Sequence, residues 1–314
     1  MSTLQVCTPV PHQNPASADA TRGLLFGAAA VVIFALTFPM TRMAVGSADA
    51  PQLPPAFVAV ARAAGAGLIS LVYLIACRAS LPKKAQLPAL ALSAAGIVFG
   101  FPLFLALALR EVPSMHAAIV TGVTPLTTAA FAAIALRQRA SASFWACAVL
   151  GCVLVLAFAM HEGGGTVSVA DGWLLLAVLS AGGGYVAGAR LSAEMPAERV
   201  ISWVLVLSLP LTAPLTVLWW PTQPASVAAW GGLAYVTVFA MWLGFFLWYR
   251  GLALGGTLRV SQIQLLQPFL ALLFSVPLLG EPLRASTVVF ALLVLATVFV
   301  GRRVTTSPQP PKEP

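Results

Sequence analysis

TLRVSQIQLLQPFLALLFSVPLLGEPLR, residues 257–284, is an apolar run that holds three glutamines and a proline and closes in Gly280-Glu281-Pro282-Leu283-Arg284. A helix in hydrocarbon has no reason to carry Gln262, Gln264 and Gln267 just ahead of Pro268 unless that turn faces something other than lipid. Setting Pro268 opposite Pro125, 143 residues earlier, finds a weaker copy of the stretch. Gln264 and Gln267 then meet Thr121 and Thr124, polar at the same two places, and sparse identities continue through Phe131/Phe274, Ala142/Ala285 and Ser143/Ser286.

Composition sets the class around that pairing. Hydrophobic residues make up 60% of the 314 and charged residues 8%, against roughly 25% charged in an ordinary soluble domain. The chain therefore reads as an all-α polytopic membrane protein. At about 20 residues per crossing, spans fall at 23–45, 55–77, 87–109, 113–136, 141–160, 172–191, 199–219, 227–249, 257–279 and 285–301, with Pro and Gly clusters between them. The expected domains are a disordered cytoplasmic tail (1–21), two five-helix repeats (22–160 and 161–303) and a second cytoplasmic tail (304–314).

Five spans per half is an odd number, so the second half enters the membrane in the opposite sense. Ten transmembrane helices in two inverted five-helix repeats is a transporter architecture. Arg22, Arg78, Lys83, Lys84, Arg137, Arg139 and Arg190 fall on one side, with most later cations, while Arg110 and Arg284 alone fall on the other. That bias puts both termini in the cytoplasm. It also assigns the net charge of +8 to membrane orientation and not to nucleic acid. The apolar run at 23–45 is too long for a signal-peptide core and is retained as the first span.

Few residues carry chemistry. Cys7, Cys77, Cys147 and Cys152 form no C-x-x-C pair and read as inert thiols. No phosphate-binding G-x-x-x-x-G-K-[ST] occurs, which argues against ATP, and no cofactor or metal is expected. Gln264 and Gln267 share a helix face. Pro268 and Pro125 lack an N–H, so the carbonyls of Gln264 and Thr121 lose their helical partners. Each half then offers a free carbonyl flanked by polar side chains, either lining a cavity near the bilayer midplane or holding helices together.

Arg62 lies seven residues into the second span, about 10 Å deep, where it snorkels, bonds carbonyls or meets an anionic group of a solute. Arg42 and Arg190, near helix ends, read as snorkelling anchors. His116 is the one candidate for proton coupling, with an interfacial histidine as its plainer reading. Glu281 suits a local ion pair with Arg284 or a bond to the turn. Tyr235, Trp242 and Tyr249 recur every seven residues and form a stripe that either encloses a solute or sits as interfacial aromatics. Tyr185 follows Gly182-Gly183-Gly184, which permits close helix contact or flexing.

The ten-span pattern, the Pro-centred fourth and ninth helices, Gly280-Glu281-Pro282-Leu283 after the ninth, and Ala61-Arg62-Ala63 in the second resemble the EamA-type carriers of the drug/metabolite transporter superfamily. The resemblance covers residues 23 to 303. At the break after the fourth helix, Arg137-Gln138 stands where the family commonly repeats Gly-Glu. What the resemblance implies is secondary transport across a bacterial inner membrane, commonly export of amino acids, metabolites or drugs, through a central cavity. The expected partners are a small-molecule solute and the lipid bilayer. The alternatives are a membrane-embedded enzyme acting on a lipid-linked substrate and a structural or receptor-like bundle.

Overall fold

The computed structural model describes residues 15–135, 142–162, 164–192, 194–255, 260 and 262–305. It is all-helical. The spans are α1 (Pro15–Val45), α2 (Pro55–Ala76), α3 (Lys84–Glu111), α4 (Ser114–Ala135), α5 (Ala142–Glu162), α6 (Val169–Leu191), α7 (Ala197–Leu218), α8 (Val227–Gly251), α9 (Ile263–Leu279) and α10 (Ala285–Thr305). Among the described residues, eight are long and apolar enough to cross a membrane outright, and the apolar parts of α9 and α10 are shorter. α1 is described from Pro15, inside the stretch read as a tail.

Helix pairing follows the repeat. α1 packs along α8, and the equivalent pair, α6 with α3, packs likewise. α1 also packs against α9, and α6 against its counterpart α4. α2 with α7, α4 with α9 and α5 with α10 join equivalent helices directly. All these seams run between the halves, so the halves interlock about a pseudo-two-fold axis. Leu68, Val72, Val149, Val153, Leu211 and Leu292 face outward, as lipid contact requires.

Backbone irregularities repeat too. α3 is π-helical over Ala94–Gly100, and α8 over Val236–Leu243. The 143-residue shift carries the first segment onto 237–243, within the second. α4 turns at Gly122-Val123 between helices Ser114–Thr121 and Thr124–Ala135. α9 opens as a 3-10 turn over Gln262–Leu266 before the helix Gln267–Leu279. Both breaks immediately precede the paired prolines. Non-α backbone at membrane depth is tolerated where it lies buried in protein or lines a cavity, so these breaks point inward.

Glycine is required at two kinds of place. Gly280 ends α9 at φ +67, the left-handed conformation that favours a residue without Cβ. Gly96 and Gly184 let α3 and α6 touch through backbone: a Cβ on Gly96 would come within 2.3 Å of the Ser180 carbonyl oxygen. Of the 182–184 run, Gly182 and Gly184 serve close contact, while Gly183 faces open space.

Candidate functional site

A central cavity lies between the halves, walled by α1, α2, α3, α4, α6, α8, α9 and α10. Both broken turns reach it: Thr121, Gly122, Thr124 and Pro125 from α4, and Gln264, Leu265, Gln267 and Pro268 from α9. Arg62 and Tyr185 complete the polar wall with Thr37, and Phe34, Phe38, Phe101 and Phe245 line the remainder.

The two turns differ in what they offer a solute. The Thr121 carbonyl, released by Pro125, accepts the Thr124 hydroxyl at 2.6 Å. The Thr121 hydroxyl in turn donates to the Ala117 carbonyl at 2.7 Å. The expectation of a free carbonyl in the first half is therefore corrected: a hydroxyl one turn away repairs the loss. Both threonines have spent their protons and keep only acceptor capacity. The side chains of Gln264 and Gln267 make no hydrogen bond to another described residue, which leaves two complete amide groups at the cavity. The side chain of Gln262 and the whole of Arg259, the repeat counterpart of His116, lie outside the described residues.

Arg62 does not snorkel. It is 3% exposed, and its Nη2 lies 3.8 Å from Met241 Sδ. Its Nε and Nη1 have no hydrogen-bond partner among the described residues. Arg42 and Arg190, near helix ends, also have protein partners: Arg42 donates to the Leu109 carbonyl, and Arg190 to the Ala135 carbonyl at 2.9 Å. Each supplies a cation to carbonyls in the last turn of a neighbouring helix, where the helix leaves them unpaired.

Tyr235, Trp242 and Tyr249 are not on the cavity wall. The π segment that runs through Trp242 bonds i to i+5 and rotates less per residue, so a seven-residue stride no longer stays on one face. Instead, Tyr235 donates to the Ile33 carbonyl at 3.1 Å, and Trp242 packs on Phe246 with its Nε1 unsatisfied. Tyr249 stacks at a tilt on Phe245. From α8, Ala240, Met241 and Phe245 reach the cavity instead.

His116 is also outside the cavity. Its Nε2 lies 2.6 Å from Asp171 Oδ1, with both side chains 8% exposed, on the seam between α4 and α6. Asp171 uses its other oxygen to accept the Ser168 N–H at 2.8 Å and the Ser168 hydroxyl at 2.7 Å. Sequence reading missed Asp171 because the sixth span was started one residue later. The signal was present: Ser168-x-x-Asp171 ahead of an apolar run is a capping-box pattern.

Glu281 does not pair with Arg284. Its carboxylate accepts the N–H groups of Ser114 at 2.7 Å and Met115 at 3.0 Å, at the start of α4. Arg284 reaches Glu162 at 3.3 Å. Ser114 also meets Ser275, hydroxyl to hydroxyl, at 2.7 Å. At the opposite end of the bundle, Gln86 donates to Glu194 at 2.8 Å. Both ends are thus tied across the halves.

Interlocked five-helix halves around a partly polar cavity define a polytopic membrane carrier. The chain belongs to the EamA-like transporter family, which matches residues 21–160 and 168–301, one copy in each half. It is 40% identical over 285 residues to the uncharacterized transporter YdeK of Bacillus subtilis (strain 168), covering 90% of this chain and 98% of that one. It is 26% identical to the uncharacterized transporter YyaM of the same organism, over 79% and 83% of the two chains. A crystal structure superposes with a TM-score of 0.61 at 19% identity, covering 91% of this chain and 98% of that one, and shares the fold. The family is one of transporters and not of enzymes, so the lipid-modifying alternative is set aside.

Proposed function

We propose that this transporter is a secondary carrier that exports or exchanges small metabolites, such as amino acids or related solutes, by alternating access. The observation that carries the reading is the pair of broken turns at the cavity. Two glutamine side-chain amides without a partner among the described residues stand on one turn, opposite threonine oxygens on the other. Helices held together by polar glue would spend those amides on one another. Gln264, Gln267, Thr121, Thr124, Tyr185 and Arg62 form the binding wall. Opening toward either side requires one set of ties to part, either those around Ser114 and Glu281 or those around Gln86 and Glu194. We place the carrier in a bacterial inner membrane with both termini cytoplasmic, on the distribution of arginine and lysine between loops.

Solute flux into liposomes containing the purified protein tests this reading, screened over amino acids, nucleosides and organic cations. Protein-dependent movement of one class down its gradient is the expected result. No movement of any class would overturn the reading.

A further inference from the structure

Among the described residues of its wall, the cavity holds one positive charge and no carboxylate to oppose it. Arg62 is 3% exposed; among the described residues, two of its three guanidinium nitrogens have no hydrogen-bond partner, and the third has only a thioether sulfur 3.8 Å away. Sulfur is a weak acceptor. No Asp or Glu stands among the described residues of the wall. The charge belongs to one half alone, since the repeat counterpart of Arg62 on α7 is Leu205, which is fully buried. A guanidinium taken out of water without a partner is a costly group, and the cost is relieved when an anion arrives to pair with it.

We propose that the solute carried is an organic monoanion whose carboxylate pairs with Arg62 while its apolar body lies against Phe34, Phe38, Phe101 and Phe245. The planar fork of arginine matches a carboxylate with two parallel hydrogen bonds. One negative charge neutralises the site, whereas a dianion would leave an excess charge in a wall of low polarity. A zwitterion would bring an ammonium group for which the described wall has no carboxylate. The four phenyl rings suit an aromatic or branched body, and the amides of Gln264 and Gln267 suit a keto or acylamino substituent beside the carboxylate. The inference rests on the transporter reading and narrows amino acids and related solutes to those with a net charge of −1, such as an α-keto or N-acylated acid.

The test uses the full chain in liposomes and three labelled probes with one aromatic body: phenylpyruvate as anion, phenylalanine as zwitterion and phenethylamine as cation. Each is compared with protein-free liposomes. Phenylpyruvate should move fastest in the wild type. Arg62→Met should lower its uptake by about 30-fold, and Arg62→Lys should retain more because the charge stays. Faster protein-dependent movement of phenylalanine or phenethylamine overturns the inference and leaves the carrier standing. So does an Arg62→Met protein that still carries phenylpyruvate at the wild-type rate. If none of the three moves, the wider solute screen separates the cases: movement of a neutral or cationic solute sinks the anion alone, and no movement at all sinks both. Should Arg62→Met fail to fold, the ranking of the three probes by the wild type decides the question.

Discussion

Glu281 and Ser114, far apart in sequence, are joined by a 2.7 Å hydrogen bond from the Ser114 N–H to the Glu281 carboxylate, and Met115 adds a second at 3.0 Å. The carboxylate of one half thereby caps the broken helix of the other. Both the unpaired N–H groups and the helix dipole favour a negative charge at that point.

Glu281→Ala should therefore destabilise the protein by about 1 kcal/mol. Unfolding in mixed detergent micelles measures it. Glu281→Gln should recover part of the loss, because an amide oxygen still accepts one N–H. An Arg284→Ala change should cost little, since its pair with Glu162 is exposed on the arginine side. Equal losses from Glu281→Ala and Arg284→Ala would contradict the cap.

Thr124→Val removes the hydroxyl that satisfies the Thr121 carbonyl. An unsatisfied carbonyl in an apolar wall costs about 1–3 kcal/mol. Pro125→Ala restores a backbone N–H to the same turn, so the double variant should be more stable than Thr124→Val alone. A double-mutant cycle on unfolding free energies reads the coupling. Strict additivity would show that the two losses are unconnected.

Asp171→Ala strands His116 and also removes the carboxylate half of the capping box of α6. Breaking a buried pair from one side costs about 3–5 kcal/mol at its upper range, so this should be the most damaging of these single changes to stability. Because the pair lies on a seam and not on the cavity wall, a His116→Gln carrier that folds should keep the wild-type response to an imposed pH gradient. Loss of that response with folding intact would return His116 to proton coupling.

Gln267→Leu should leave insertion and folding nearly unchanged and weaken flux several-fold, about what losing one solute hydrogen bond implies. Trp242→Phe should leave flux unchanged, since Trp242 is off the wall, and should be neutral or slightly stabilising because it removes an unsatisfied Nε1 donor. Flux in proteoliposomes at matched protein content compares the two. The reverse ranking would restore the aromatic stripe as the binding face.

Much of the architecture was legible without coordinates. Long apolar runs must become helices in hydrocarbon, because every backbone group needs an internal partner there. An odd number per half fixes their opposite sense, and a proline removes its N–H wherever it stands. Gln264, Gln267, Thr121 and Thr124 therefore stood out as polar groups in need of a partner, a cavity or another helix, before any packing was known. Neighbouring helices decided the rest. Arg62 can reach the interface or the interior from the same place in α2, and only the packing around it turned it inward. The π segments carry no sequence signature, yet they rotate Tyr235, Trp242 and Tyr249 away from a shared face. Glu281 had a cation three residues away and bonded instead to the start of a helix in the other half. Local chemistry determines which groups need partners, whereas the choice among partners distant in the chain belongs to the tertiary structure, because only the fold sets which of them come within reach.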